Sequence, residues 1–299
     1  MTAPNDEAKG TNAGRRCLIC DSSQHSIVCL WDSRQVVKCL GCGVLFTEPC
    51  PSEEELIRLY NDGSLLGETN DAAVVDLLTC PEWKTKEHSR HLDGLGRLGV
   101  RRGSLLDVGC LWGFFLTHAR QRGFDVVGVE PHARAVRYVQ DVLKLAVCQG
   151  NLRSAAFSPS SFDVVAFLDV IEHLMDPVAE LREALRVTKP KGLVLVVTPN
   201  SAGLLPQAIG IKRKAFHQPW CPIDGTPWHL WGFTRRTIAL CVEKAGFRVE
   251  RVELIEPSVK TSNMGAGSTS WKKMALRILG EASWWLRMSD RMVAFARKD

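Results

Sequence analysis

The sequence predicts an α/β protein, a mostly parallel β-sheet flanked by helices, preceded by a small cysteine-rich module. Three observations carry that expectation. From Ser104 onward, short apolar runs alternate with amphipathic stretches of helical length. A glycine turn joins the first of these runs to the first amphipathic stretch, at Asp107–Gly113. Six of the eleven cysteines fall within residues 15–50, ahead of the alternating region.

The elements follow in order. Residues 1–14 are polar and lack an apolar stretch, so they read as a disordered tail with no secretory signal. Residues 15–50 hold only short β-prone runs, at Ser26–Leu30, Gln35–Lys38 and Val44–Thr47. Residues 51–98 read as a helical connector. Ser52 is placed to cap a helix whose first turn carries Glu53, Glu54 and Glu55, and a second helix is expected over Pro81–Leu98. Residues 99–299 form the main domain. Its strands are expected at Ser104–Val108, Asp125–Val129, Phe162–Leu168, Leu193–Thr198, Phe247–Leu254 and Met292–Arg297. Helices are expected at Phe114–Arg122, Ala133–Leu145, Pro177–Val187 and Arg235–Ala245, the last closed by Gly246. Buried strands separated by helices in this way indicate βαβ units. The segment Ser201–Trp220 is long for a connection and is expected to cover an acceptor pocket. A helical face of Trp271, Met274, Ala275, Ile278, Ala282, Trp285 and Leu286 is expected to dock on the domain, with substrate or membrane-surface contact as the alternative.

Bulk properties narrow the function classes. The net charge of +5 is mild, and no long basic run marks a nucleic-acid arm. No stretch approaches the ~18 uninterrupted apolar residues of a membrane span. Without an export signal the eleven cysteines point to a reducing, cytoplasmic compartment, where clustered cysteines bind metal more often than they form disulfides.

Cys17-Leu-Ile-Cys20 and Cys39-Leu-Gly-Cys42 are two C-x-x-C pairs separated by 18 residues. Each such knuckle presents two thiolates from one tight turn, and two knuckles make the tetrahedral sulfur set that zinc prefers. Gly41 and Gly43 flank the last ligand, where the turn is expected to need unusual backbone angles. The zinc ribbon is expected to be structural, since a module of about 35 residues has too little core to fold without a metal. Cys29 and Cys50 fall outside the pattern and read as small core residues.

The run Asp107-Val108-Gly109-Cys110-Leu111-Trp112-Gly113-Phe114 leads from a strand, through the glycine turn, into a helix, whose unpaired N–H groups can face a ligand. The next strand ends at Glu130, 23 residues past Asp107, placed for ribose hydroxyls. Over residues 100–299 the sequence resembles the class I S-adenosylmethionine-dependent methyltransferases. Asp107–Gly113 resembles their first motif and Glu130 their ribose acid. Gly150-Asn151-Leu152 resembles their adenine-side segment, and Phe162–Val165 leading to Asp169-Val-Ile-Glu172-His173 resembles their fourth motif. The resemblance implies a Rossmann-like, seven-stranded sheet. It also implies S-adenosylmethionine bound by Asp107, Gly109, Cys110, Gly113, Phe114, Glu130, Asn151, Leu152 and Asp169. Leu111 replaces the usual middle glycine, and Trp112 beside it is expected to narrow the methionine end of the site.

Methyl transfer needs alignment, a dry pocket and a base where the acceptor carries a proton. Glu172, His173 and His229 are the catalytic candidates, with the loop Trp220–Phe233 and Thr198-Pro199-Asn200 beside them. His229 reads as a base or as an anchor among Trp228, Trp231 and Phe233. Asp169, Glu172, His173 and His229 also resemble the Mg²⁺ or Mn²⁺ constellation of RNA terminal 2′-O-methyltransferases. The preferred acceptor is a small molecule, a sugar, polysaccharide precursor or secondary metabolite methylated on oxygen. The rivals are a metal-assisted RNA methyltransferase and a non-catalytic module that docks partners through the ribbon. RNA fits poorly, because Arg15, Arg16, Arg34 and Lys38 are sparse and only Trp31 and Phe46 offer stacking.

Overall fold

The computed structural model describes residues 11–12, 15–31, 34–52, 54–56, 58, 82–215, 221–223, 228–255 and 281–299. They fall into two units, each discontinuous in sequence. A ribbon unit joins residues 1–49, 198–240 and 252–293, and a sheet unit joins 50–197, 241–251 and 294–299.

The alternating apolar runs become β5 (Gly103–Val108), β6 (Phe124–Glu130), β8 (Phe162–Leu168), β9 (Thr188–Pro199), β11 (Arg248–Leu254) and β12 (Arg291–Arg297), with β7 (Ala146–Gln149) added. Together they form one seven-stranded sheet in the order β11-β12-β9-β8-β5-β6-β7. The pairs β5/β6, β5/β8, β6/β7 and β8/β9 are parallel. β9, β8 and β5 lie centrally, and Leu105, Leu106, Val164, Phe167, Leu193 and Val196 are fully buried there, as a sheet covered on both faces requires. The chain order reverses beside β5, so the carboxyl end of β5 opens at a switch point where such sheets bind ligands.

The helices are α1 (Glu82–Arg97), α2 (Phe114–Gln121), α3 (Ala133–Asp141), α4 (Pro177–Val187), α5 (Leu204–Ala215) and α6 (Arg235–Lys244). α4 starts on Asp176, whose side chain accepts from Ala179 N at 2.9 Å. Ser52 closes a capping box with Glu55, with Glu55 N donating to Ser52 Oγ and Ser52 N to Glu55 Oε2. α3 is shorter than expected and stops at Asp141; Lys144, at φ +51°, turns the chain into β7. The stretch Lys189–Gly192 is an excursion inside β9. The register jumps from Phe162↔Thr188 to Val164↔Leu193 there, and Lys191 takes φ +66°.

The ribbon unit holds a second sheet, in the order β1-β2-β3-β4-β10. Its strands are β1 (Thr11–Asn12), β2 (His25–Trp31), β3 (Arg34–Cys39), β4 (Leu45–Glu48) and β10 (Trp231–Gly232), each antiparallel to the next. β1 lies inside the stretch read as a tail, and β10 comes from far along the chain. The expected cover segment contains α5. Of the amphipathic face, Trp271, Met274, Ala275 and Ile278 lie outside the described residues, whereas Trp285 and Leu286 are 85% and 60% exposed and so do not dock. Among the described residues no helix is long and apolar enough to cross a membrane.

Candidate functional site

The two cysteine knuckles meet. Cys17 N donates to Ser22 O and Asp21 N to Cys17 O, while Cys39 N donates to Val44 O and Gly43 N to Cys39 O. These paired turns bring the Sγ atoms of Cys17, Cys20, Cys39 and Cys42 within 4.8 Å of one another. Cys17–Cys42 is 3.8 Å and Cys20–Cys39 is 3.4 Å. Of the two glycines only Gly43 uses unusual backbone angles, at φ +89°, and in the first knuckle Asp21 takes φ +62°. Gly41 is needed for a different reason: a Cβ there would lie 2.9 Å from Ser22 Cβ and 3.1 Å from Cys20 Sγ, so a side chain would push the knuckles apart. The hydrogen bond from Cys42 holds the Cys17 thiol down at about 5, while that same bond and burial push Cys42 up. Four sulfurs this close ionise together only around a cation, and four thiolates in a tight cluster fit zinc.

The second constellation belongs to the sheet unit. β5 runs into Gly109 at φ +73°, where a Cβ would meet Val170 Cγ2 at 2.5 Å. Gly109 N and Cys110 N both donate to Val129 O, tying the turn to β6. Leu111 adopts φ +44°, the left-handed conformation that the usual glycine would take freely. Its N–H donates to Glu130 Oε2 at 2.9 Å, and His132 N donates to Glu130 Oε1 at 2.8 Å. Glu130 therefore props the turn, and each oxygen keeps a lone pair for a ribose hydroxyl. Trp112 is buried and packs edge-on against Tyr138 of α3, centroids 5.7 Å apart.

Asp107 is buried, and its Oδ1 has no hydrogen-bond partner among the described residues. Burial first, then the Glu130 carboxylate, raises the Asp107 carboxyl well above its ordinary range, against the opposing pull of Lys84 on α1. A buried acceptor left this way fits a ligand that brings a cationic donor, such as the ammonium of a methionine moiety. α2 begins at Gly113, φ +71°, with no side-chain cap, so its first N–H groups remain available, Phe114 heading the helix. The Cys110 side chain turns inward and packs against Gly128. Asn151 is exposed and its Oδ1 already accepts from Ser154 N at 2.8 Å, while Leu152 beside it is fully buried. Asp169 follows β8 at φ +58°, its N–H donating to Val197 O. Lys84 was missing from the sequence reading, since nothing in the spacing of α1 distinguishes it from a solvated lysine.

The catalytic candidates divide between the units. In the sheet unit, Ile171–His173 form a 3-10 turn after β8, with Glu172 buried, His173 half-buried, and their ligating atoms within 4.8 Å. Asp169 is not part of that grouping. In the ribbon unit, Asn200 is committed to bracing: its Nδ2 donates to Ser289 O, its Oδ1 accepts from Ala202 N, and its N–H donates to Asp290 O. It therefore leaves the set of candidates for chemistry. His229, half-buried, precedes Leu230, whose carbonyl accepts from Thr47 N at 2.9 Å. Trp231 and Phe233 stack at 6.2 Å.

Comparison with known proteins bears on this geometry. Residues 83–252 match a family described as "Methyltransferase domain". A ubiquinone biosynthesis O-methyltransferase of Paracidovorax citrulli is 30% identical over 116 residues, 36% of this chain and 48% of that protein. One of Azorhizobium caulinodans is 32% identical over 132 residues, 42% of this chain and 51% of that protein. The chain thus spans about half the length of these curated relatives. A solved structure from Galdieria sulphuraria, described as a sarcosine dimethylglycine methyltransferase, superposes with a TM-score of 0.50 at 14% identity, covering 72% of this chain and 86% of that one. That likeness concerns the fold.

Proposed function

Because the chain belongs to the methyltransferase-domain family, we propose that it transfers a methyl group from S-adenosylmethionine to an oxygen of a small-molecule acceptor in a reducing, cytoplasmic compartment. The observation that carries this reading is the turn after β5. It joins an unpartnered buried Asp107 Oδ1, a glycine whose Cβ position is already filled by Val170, and Glu130 at the tip of β6. Bound S-adenosylmethionine supplies a methyl carbon already activated by its sulfonium. The chain supplies the rest. Asp107 accepts from the ammonium, Glu130 from the ribose hydroxyls, and Gly109, Cys110, Gly113 and Phe114 give backbone to the cradle. Asn151 and Leu152, after β7, form the adenine side, and Asp169, after β8, contributes from the other side of β5. His229 takes the acceptor's proton, and Glu172 and His173 orient the acceptor after β8. Cys17, Cys20, Cys39 and Cys42 hold a structural zinc.

An oxygen acceptor accords with the names of the curated relatives, which act as ubiquinone biosynthesis O-methyltransferases. RNA is disfavoured by the position of Arg15, whose guanidinium lies 5.9 Å from the Phe46 ring and 5.7 Å from the Trp231 ring, a packing role. Calorimetry with S-adenosylmethionine tests the cofactor site. Wild type is expected to bind with micromolar affinity, and Asp107→Ala to lose about tenfold or more, consistent with a lost charge-assisted hydrogen bond. No binding by wild type would return the chain to the docking-module reading. For the divalent-metal reading, transfer that neither rises with Mg²⁺ or Mn²⁺ nor falls with a mild chelator removes Glu172 and His173 as ligands.

A further inference from the structure

The five-stranded sheet of the ribbon unit contains a contact that neither the cofactor turn nor the transfer chemistry explains. β3 ends on Cys39, and β4 begins three residues after Cys42, so the second knuckle is the turn of the β3–β4 hairpin. β4 is then paired on both sides. Val36↔Thr47 and Val37↔Phe46 join it to β3, and Phe46↔Trp231 and Leu45↔Gly232 join it to β10. Thr47 N donates to Leu230 O at 2.9 Å. Phe46 and Trp231 are both buried, their ring centroids 5.5 Å apart. On its other side Phe46 meets the edge of buried His25 at 4.9 Å, and His25 stands opposite Cys39 in the β2–β3 register. The contact therefore runs from a cysteine ligand, through His25 and Phe46, to Trp231.

The other end of β10 is fixed too. Ser201 donates to Phe233 O from both its N–H and its Oγ, each at 2.8 Å. Gly232 is needed where the strands meet: a Cβ there would lie 3.1 Å from both Leu45 Cβ and Ile223 Cγ1. β10 is two residues long, too short to hold an extended conformation by itself, so its order is borrowed from β4. β4 in turn depends on a hairpin whose turn is a metal knuckle.

We propose that the zinc-loaded ribbon acts as a positioning device for the acceptor side of the enzyme, fixing the segment Trp228–Phe233, and His229 with it, through Phe46, Thr47 and Arg15. The part that concerns His229 rests on its reading as the base, given above. The ribbon then has a task beyond folding: its metal sets where the proton acceptor stands.

The test is hydrogen exchange with mass spectrometry on the full chain, loaded with zinc or stripped of it under reducing conditions. Protection of the peptide covering Trp228–Phe233 is expected to fall about tenfold or more without zinc, while the peptide over Ser104–Val108 is unchanged. S-adenosylmethionine affinity, by calorimetry, is expected to stay within about threefold. Phe46→Ala, verified to keep its full zinc content, is expected to reproduce the loss at Trp228–Phe233. Equal protection of that peptide in loaded and stripped protein overturns the proposal. If stripping also deprotects Ser104–Val108, the zinc-loaded Phe46→Ala variant decides: selective deprotection supports the proposal and unchanged protection overturns it. His229→Ala separates the two readings. Full transfer activity in that variant would remove the base role while the exchange result stands by itself.

Discussion

Leu111 sits at φ +44° in the middle of the cofactor turn, its N–H held by Glu130. A left-handed conformation costs a branched side chain about 1 kcal/mol or more, so Glu130 and the anchored Gly109 must impose it. Leu111→Gly is therefore expected to raise the urea midpoint slightly and to leave S-adenosylmethionine affinity in place, measured by denaturation and calorimetry. His88 is strained by charge rather than by backbone. It is buried against Phe115, and its Nδ1 lies 2.9 Å from His118 Nδ1, so one ring donates and the other accepts. Burial above all, then nearby Lys84, pushes its imidazole down to about 3 from 6.5. The unfolded chain thus takes up a proton before the folded one does. The stability due to neutral His88 is complete above about pH 6.5 and is lost as pH falls from 6.5 toward 3, by up to about 1.4 kcal/mol per pH unit. Urea midpoints at pH 7 and pH 5 are expected to converge in His88→Phe relative to wild type; an unchanged acid sensitivity would assign the effect elsewhere.

Among the elements, the entries of β5, β8 and β9 share one carboxylate. Asp163 accepts from Ser104 N, Ser104 Oγ and Lys189 Nζ, each at 2.8 Å. Burial opposes its charge, but Lys189 and Ser104 still hold its carboxyl below the usual range. Asp163→Ala leaves Ser104 N without that acceptor and is expected to cost about 1–3 kcal/mol in denaturant unfolding. Much of this layout was legible in the sequence. β8 and α4 fall where the apolar run Phe162–Leu168 and the amphipathic stretch Pro177–Val187 place them, because buried parallel strands and amphipathic helices write their periods locally. β7 was missed because its four residues include only one buried position, and α3 was drawn too long because Lys144 carries no glycine signal for its left-handed turn. The cysteine knuckles and the Asp107–Gly113 turn were legible for the same local reason. β10 was not: a two-residue strand declares itself only through β4, more than 180 residues earlier in the chain.

At the scale of the molecule, the chain enters the ribbon unit, leaves it for the sheet unit, and returns to the ribbon unit twice. Residues 15–50, which read as a self-contained module, are thus only part of a compact unit that residues 198–240 and 252–293 complete. The order β1-β2-β3-β4-β10 has a consequence for the ribbon expressed without the rest of the chain. Truncation removes Trp231 and Gly232 and bares the outer side of β4, including the Thr47 N–H that now reaches Leu230 O. Buried Phe46 would be uncovered beside it. An unpaired edge next to an exposed aromatic is a template for another copy of itself. Zinc-loaded residues 1–56 are accordingly expected to self-associate in sedimentation experiments as concentration rises, and adding back a peptide spanning residues 226–236 is expected to suppress it. Suppression by that peptide would give the short strand from the far half of the chain a second use, as a seal against aggregation.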